Sequence, residues 1–212
     1  MKSLLIAGLV AAIATPAAAQ HRFRVGTVEF TTALPVGYCS ATEGKPAAVA
    51  QMLAAADNRN VTHLTALSCD ADKAWKDYFI IKTPNELLAV STNTAELQQA
   101  VAPALKAALA ADENEEASKS VSRTMGSPVQ IKGEVRGYGQ DANCLYLGAV
   151  LDMDAPERGI KYTLAMSGCM TVVAGKVVTI YRYAPGTTDA DVRKLMPSVL
   201  AFAKAITPVA AN

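Results

Sequence analysis

Imidazole is the scarcest reactive group in this chain: its 212 residues include two histidines, His21 and His63. His63 opens the run HLTALSC. Paired with a carboxylate such as Asp70 or Asp72 it has the makings of a general base, which hydrolysis by a Ser, Thr or Cys nucleophile requires. His21 follows Gln20. If processing removed Gln20, His21 would present an amine and an imidazole together, and with His63 nearby that set suits copper. Neither reading has a motif behind it. The chain contains no GxSxG elbow, SxxK or HExxH, and Gly137 to Gly139 is too short a glycine run to cradle a phosphate. Asp152, Asp154 and Glu157 cluster as glycosidase carboxylates do, yet a solvated turn accounts for them more simply. The sequence therefore assigns no catalytic residue, no cofactor and no metal site. The His63 hydrolase and the His21–His63 copper protein stand as alternatives.

Binding chemistry is better represented. Tyr181, Arg182 and Tyr183 follow one another in VVTIYRYAP. On an alternating strand the two tyrosines share a face opposite Val178 and Ile180, and aromatics beside arginine are favoured at binding hot spots. Trp75, the single tryptophan, sits in the polar turn DADKAWKD, where it can anchor a partner or cover the end of the core. Core packing of the two tyrosine rings is the competing reading. These four residues are the candidate binding set, with a protein or a small ligand as partner.

The residues around these groups indicate a compartment. MKSLLIAGLVAAIATPAAAQ has one cation, an apolar run from Leu4 to Ala14, and small residues at Ala17 and Ala19. That is the layout of a signal peptide over residues 1–19, cut after Ala19, which leaves a periplasmic or secreted protein. The run is too short to span a bilayer, so no membrane span is expected after cleavage. Without Lys2, the remaining 19 basic residues balance 19 acidic ones. A neutral chain is a poor nucleic-acid binder, because phosphate contacts call for a basic surface.

Cys39, Cys69, Cys144 and Cys169 follow from that compartment, where disulfides persist. None forms a CxxC pair, which argues against zinc and thioredoxin-like redox sites. Four cysteines allow three connectivities. Cys39 with Cys69 and Cys144 with Cys169 is favoured, since each pair then joins neighbouring strands within one half of the chain.

The elements that must position these groups alternate between strands and helices. FRVGTVEFTTALPVGYC reads as strands entering a turn, and a helix follows from Pro46 with Val49, Met52, Leu53 and Ala56 on one face. VTHLTALSC and YFIIKT are strands, and Thr94 caps a helix bearing Leu97, Val101, Ala104, Leu105 and Ala108. The charged stretch from 110 to 128 reads as a frayed helix end and linker, a seam between halves. Beyond it, VQIKGEVRGY alternates with Val129, Ile131 and Val135 on one side; NCLYLGAVLDM, IKYTLAMSGCMTVV and VVTIYRYAP are further strands, and a last helix begins near Asp189. At an offset of 100 residues Gly37, Tyr38, Leu64, Cys69 and Ile80 meet the same residue types. The helix from Pro46 has no such counterpart, and recurring strand composition explains the coincidence more simply than duplication does. The expected fold is α+β: one domain over 20–212, with helices packed on an antiparallel sheet, two disulfides, and two halves whose element order agrees.

VEFTTALPVGYC, in which a strand runs into Pro35, Gly37 and Tyr38, resembles the opening of PsbP-like domains, and the late hairpin and terminal helix are similar to their ending. The resemblance implies helices on an antiparallel sheet and an accessory protein that binds partners without catalysis. The two disulfides depart from that pattern.

Overall fold

The computed structural model describes residues 20–41, 44–55, 57–106 and 112–210. Residues 1–19, read from sequence as a signal peptide, and the stripe positions Ala56 and Ala108 lie outside them. In chain order the elements are β1 (Gln20–Val25), β2 (Val28–Ala33), β3 (Tyr38–Ser40), α1 (Gly44–Ala55), β4 (Asn60–Ser68), β5 (Tyr78–Pro84), α2 (Thr94–Lys106) and α3 (Asp112–Met125). They continue with β6 (Gln130–Lys132), β7 (Arg136–Gln140), β8 (Leu145–Ala155), β9 (Ile160–Val173), β10 (Lys176–Pro185), α4 (Asp189–Ala205) and β11 (Thr207–Pro208). Among the described residues no helix is long and apolar enough to cross a membrane.

The main sheet has eight strands, ordered β3-β4-β5-β10-β9-β8-β6, with β7 also paired to β8. Every pairing in it is antiparallel. A second, small sheet joins β1, β2 and β11. The β9–β10 hairpin turns at Ala174 and Gly175, both with positive φ, the geometry that matches the twist of the flanking strands. The two disulfides are Cys39–Cys69, from the edge strand β3 to the residue after β4, and Cys144–Cys169, from the residue before β8 to β9.

Strand alternation divides the apolar side chains between two faces. One face carries Phe79, Ile81, Cys169, Val178 and Ile180, and closes against Val199 and Phe202 of α4 and Phe23 and Phe30 of the small sheet. An N-terminal capping box of Thr188 and Asp191 starts α4, satisfying backbone N–H groups that the helix cannot pair itself. The opposite face is covered piecewise. Leu97 of α2 meets Leu147 and Val177, Val49 and Leu53 of α1 pack by Tyr78 and Leu164, and Val121 of α3 packs by Val129 and Ala155.

Two local features differ from the sequence expectation. The stretch read as a frayed end and linker contains the 14-residue helix α3. Its charged residues obscure a stripe of Ala117, Val121 and Met125 at four-residue spacing, of which Val121 is buried. Two serines fasten it to the sheet edge: Ser122 Oγ accepts from the Val129 N–H at 2.8 Å, and Ser118 Oγ from the Ile131 N–H at 2.9 Å. VQIKGEVRGY, read as one strand, is two. It breaks at Gly133, where φ is +156° and a Cβ would stand 2.4 Å from the Val150 carbonyl oxygen. Matching residues of the two halves also do not occupy matching places. Cys69 follows the end of β4 whereas Cys169 lies within β9, and α2 and α4 cover opposite faces.

Candidate functional site

The piecewise cover leaves a space. A cavity of about 490 Å³ lies between the sheet and helices α1 and α3, within the size range of small-molecule sites. Its floor is the alternate residues of the central strands: Tyr78 and Ile80 of β5, Tyr181 and Tyr183 of β10, and Leu164 and Met166 of β9. The roof comes from Met52 and Leu53 of α1 and Val121 and Met125 of α3. The two helices touch through a hydrogen bond from Ser120 Oγ to the Ala55 carbonyl.

Register explains why the floor is aromatic. Tyr183 pairs with Tyr78 across the β5–β10 ladder, and their rings stack with centroids 4.7 Å apart and planes within 19°. Tyr181 lies two residues back on the same face, its ring centroid 6.4 Å from that of Tyr183. Gly168, opposite Tyr181 on β9, makes room for it, since a Cβ there would come within 2.9 Å of the ring. At one end of the cavity Trp75 meets Tyr162 edge to face at 4.7 Å, with Lys76 Nζ 4.2 Å from the centre of the Trp75 ring. Four of the seven methionines, Met52, Met125, Met153 and Met166, also line the space. Their flexible thioethers suit a wall that adapts to its occupant.

The other end is polar. Lys82, 5% exposed, pairs with Asp57 at 2.8 Å. Asp57 also accepts two hydrogen bonds from the Asn60 amide. Burial alone would raise the Asp57 carboxyl; the Lys82 ammonium and the hydrogen bonds outweigh it and hold the group below the ordinary carboxylate range. In register with Lys82 stand Thr62 and Thr179, whose buried hydroxyls find no partner among the described residues.

Three of the four sequence-nominated binding residues, Trp75, Tyr181 and Tyr183, thus line one cavity. Arg182 does not join them, because alternation sends it to the other face. There its Nε is 3.5 Å from Asp77, whose carboxylate accepts the Tyr38 hydroxyl at 2.6 Å, and its guanidinium lies 5.2 Å from the Phe79 ring centre. It fastens the Pro35–Tyr38 corner to the sheet.

His63 is likewise structural in its contacts. At a bulge in β4, its Nε2 lies 3.0 Å from Thr83 Oγ1 and its ring stacks on Phe23 at 5.5 Å. Burial lowers its pKa from 6.5 to about 4. Asp70 and Asp72 are beyond the far end of β4, separated by about 17 Å of strand, and Asp70 pairs with Lys73. The structure does not bring the proposed base and carboxylate together. His21 is two residues along β1 from the Phe23 ring that covers His63. Among the described residues no three His, Cys, Asp or Glu side chains gather as a metal site would. Asp152 accepts from Thr163, and Asp154 faces Lys161 at 4.0 Å.

The roof residues of α1 and α3 were not among the sequence candidates. The signal that could have found them is the pairing of methionines with small apolar residues on two helices whose stripes are too weak to fill a core.

No family model matches the chain, and no curated protein matches it. Among solved structures it is similar to the solution structure of cyanobacterial PsbP from Synechocystis sp. PCC 6803, at 11% identity and a TM-score of 0.41, over 95% of this chain and 99% of that one.

Proposed function

We propose that the protein is an extracytoplasmic binding protein without catalytic activity, and that it holds a small apolar ligand between the sheet and helices α1 and α3. The observation that carries this reading is the cavity of about 490 Å³ with Trp75, Tyr181 and Tyr183 in its wall. A core built only for stability would fill such a space, because voids forfeit dispersion contacts and destabilise in proportion to their volume. The two disulfides support an oxidising compartment, as does the signal-like start of the chain.

Intact mass of the protein recovered from its export compartment tests both parts of the reading. Denatured without reductant, it should match residues 20–212 with two disulfides. Under native conditions a small adduct should appear that organic solvent extracts. A full-length mass with four free thiols would contradict the compartment.

A further inference from the structure

Of the seven tyrosines, six fall into two groups by their hydroxyls, Tyr181 standing apart with a partner of its own. Tyr38, Tyr138 and Tyr146 donate to Asp77, Asp189 and Asp141 at 2.6 to 2.8 Å. Tyr78, Tyr162 and Tyr183, all lining the cavity, make no hydrogen bond among the described residues. Tyr78 is only 5% exposed. These hydroxyls are not among the sealed polar atoms that lack a partner, so they open onto the cavity, and a phenol that keeps its proton is a donor that an occupant there can satisfy. These phenols do keep their protons: burial raises all three, that of Tyr162 to about 12.

Their arrangement narrows the partner. Tyr78 and Tyr183 stand opposite one another in the ladder with their rings stacked nearly parallel at 4.7 Å, so two phenol donors line one part of the cavity floor. A carbonyl oxygen has two lone pairs and can accept from both at once. A pure hydrocarbon would displace the water on these hydroxyls and return no acceptor, an exchange that loses affinity. An ionised carboxylate meets a different obstacle. Lys82, a buried cation in the cavity wall, is neutralised by Asp57, and the negative charge of Asp57 is already felt at Tyr183. The other lining cation, Arg59, is solvent-exposed and already partnered, so a second anion among the buried tyrosines would lack a counter-charge.

We infer that the cavity is specific for uncharged apolar molecules bearing a carbonyl oxygen, such as a ketone, ester or quinone on a hydrocarbon body, with Tyr78 and Tyr183 donating to that oxygen. This assignment rests on the cavity being the binding site.

The test is displacement of the neutral dye N-phenyl-1-naphthylamine, followed by energy transfer from Trp75, using 2-undecanone, undecane and undecanoate at neutral pH. The ketone should displace the dye about tenfold more tightly than either of the others, the difference one or two buried hydrogen bonds make. The double variant Tyr78→Phe with Tyr183→Phe, which keeps both rings, should lose the preference, with displacement by each probe read relative to the variant's own affinity for the dye. Equal displacement by all three probes, tightest displacement by undecanoate, or a ketone preference that survives the double variant would each overturn the carbonyl assignment while the dye-binding cavity stood. Failure of the dye itself to bind would remove the site and this inference together.

Discussion

His63 shows how a residue type that suggests chemistry can be occupied by structure. With Phe23 on its ring and Thr83 on its Nε2, it is half-buried and titrates near pH 4, against 6.5 in an unfolded chain. Between those values the unfolded state binds the proton and the folded state does not, so stability rises with pH through that window. The contribution is complete above about pH 6.5 and is lost as pH falls toward 4. The urea midpoint should therefore decline on acidification across this range, and His63→Gln, which can still bond Thr83, should flatten the decline. An unchanged profile in the variant would place the acid sensitivity elsewhere.

At the scale of elements, the two disulfides brace different parts of one sheet. Cys144–Cys169 closes a loop with a sequence separation of 25 and both cysteines are fully buried, while Cys39–Cys69 spans 30 residues at the sheet edge. Replacing either pair by alanine should lower unfolding free energy by about 3 kcal/mol, chiefly by freeing the unfolded chain, as read from equilibrium denaturation in urea. A loss below about 1 kcal/mol would mean that the reference state keeps its loops closed without the bond. Much of this scale is legible in sequence, because a period of two fixes which residues share a face. Hence Tyr181 and Tyr183 fall together and Arg182 falls opposite, although adjacency alone groups all three. The break at Gly133 is invisible in the alternation, since Val129, Ile131 and Val135 keep facing the cavity across it. Helix α3 was hidden for another reason: its helical stripe has only three apolar members among charged neighbours, and its stability comes from Ser118 and Ser122 bonding a strand that follows it. Such a contact lies in tertiary structure, not in local propensity.

For the whole molecule, the main contrast is between the two faces of the large sheet. One is closed by a capped helix and a small sheet around a tightly filled core; the other is spanned by three helices with the cavity left beneath two of them. No sequence pattern displays a void, because a void is a property of elements brought together from residues 49 to 183. An occupant that binds only the folded state would also stabilise the protein, by about 2.7 kcal/mol at a hundred times its Kd. The cavity is the central claim, and the most direct measurement is energy transfer from Trp75, the single tryptophan and a wall residue, to N-phenyl-1-naphthylamine. Wild-type protein should show saturable one-to-one binding, and Leu53→Phe, which adds bulk to the roof, should weaken it at least tenfold while the melting temperature holds. Absence of saturable transfer in the wild type, or equal binding by the variant, would contradict the account.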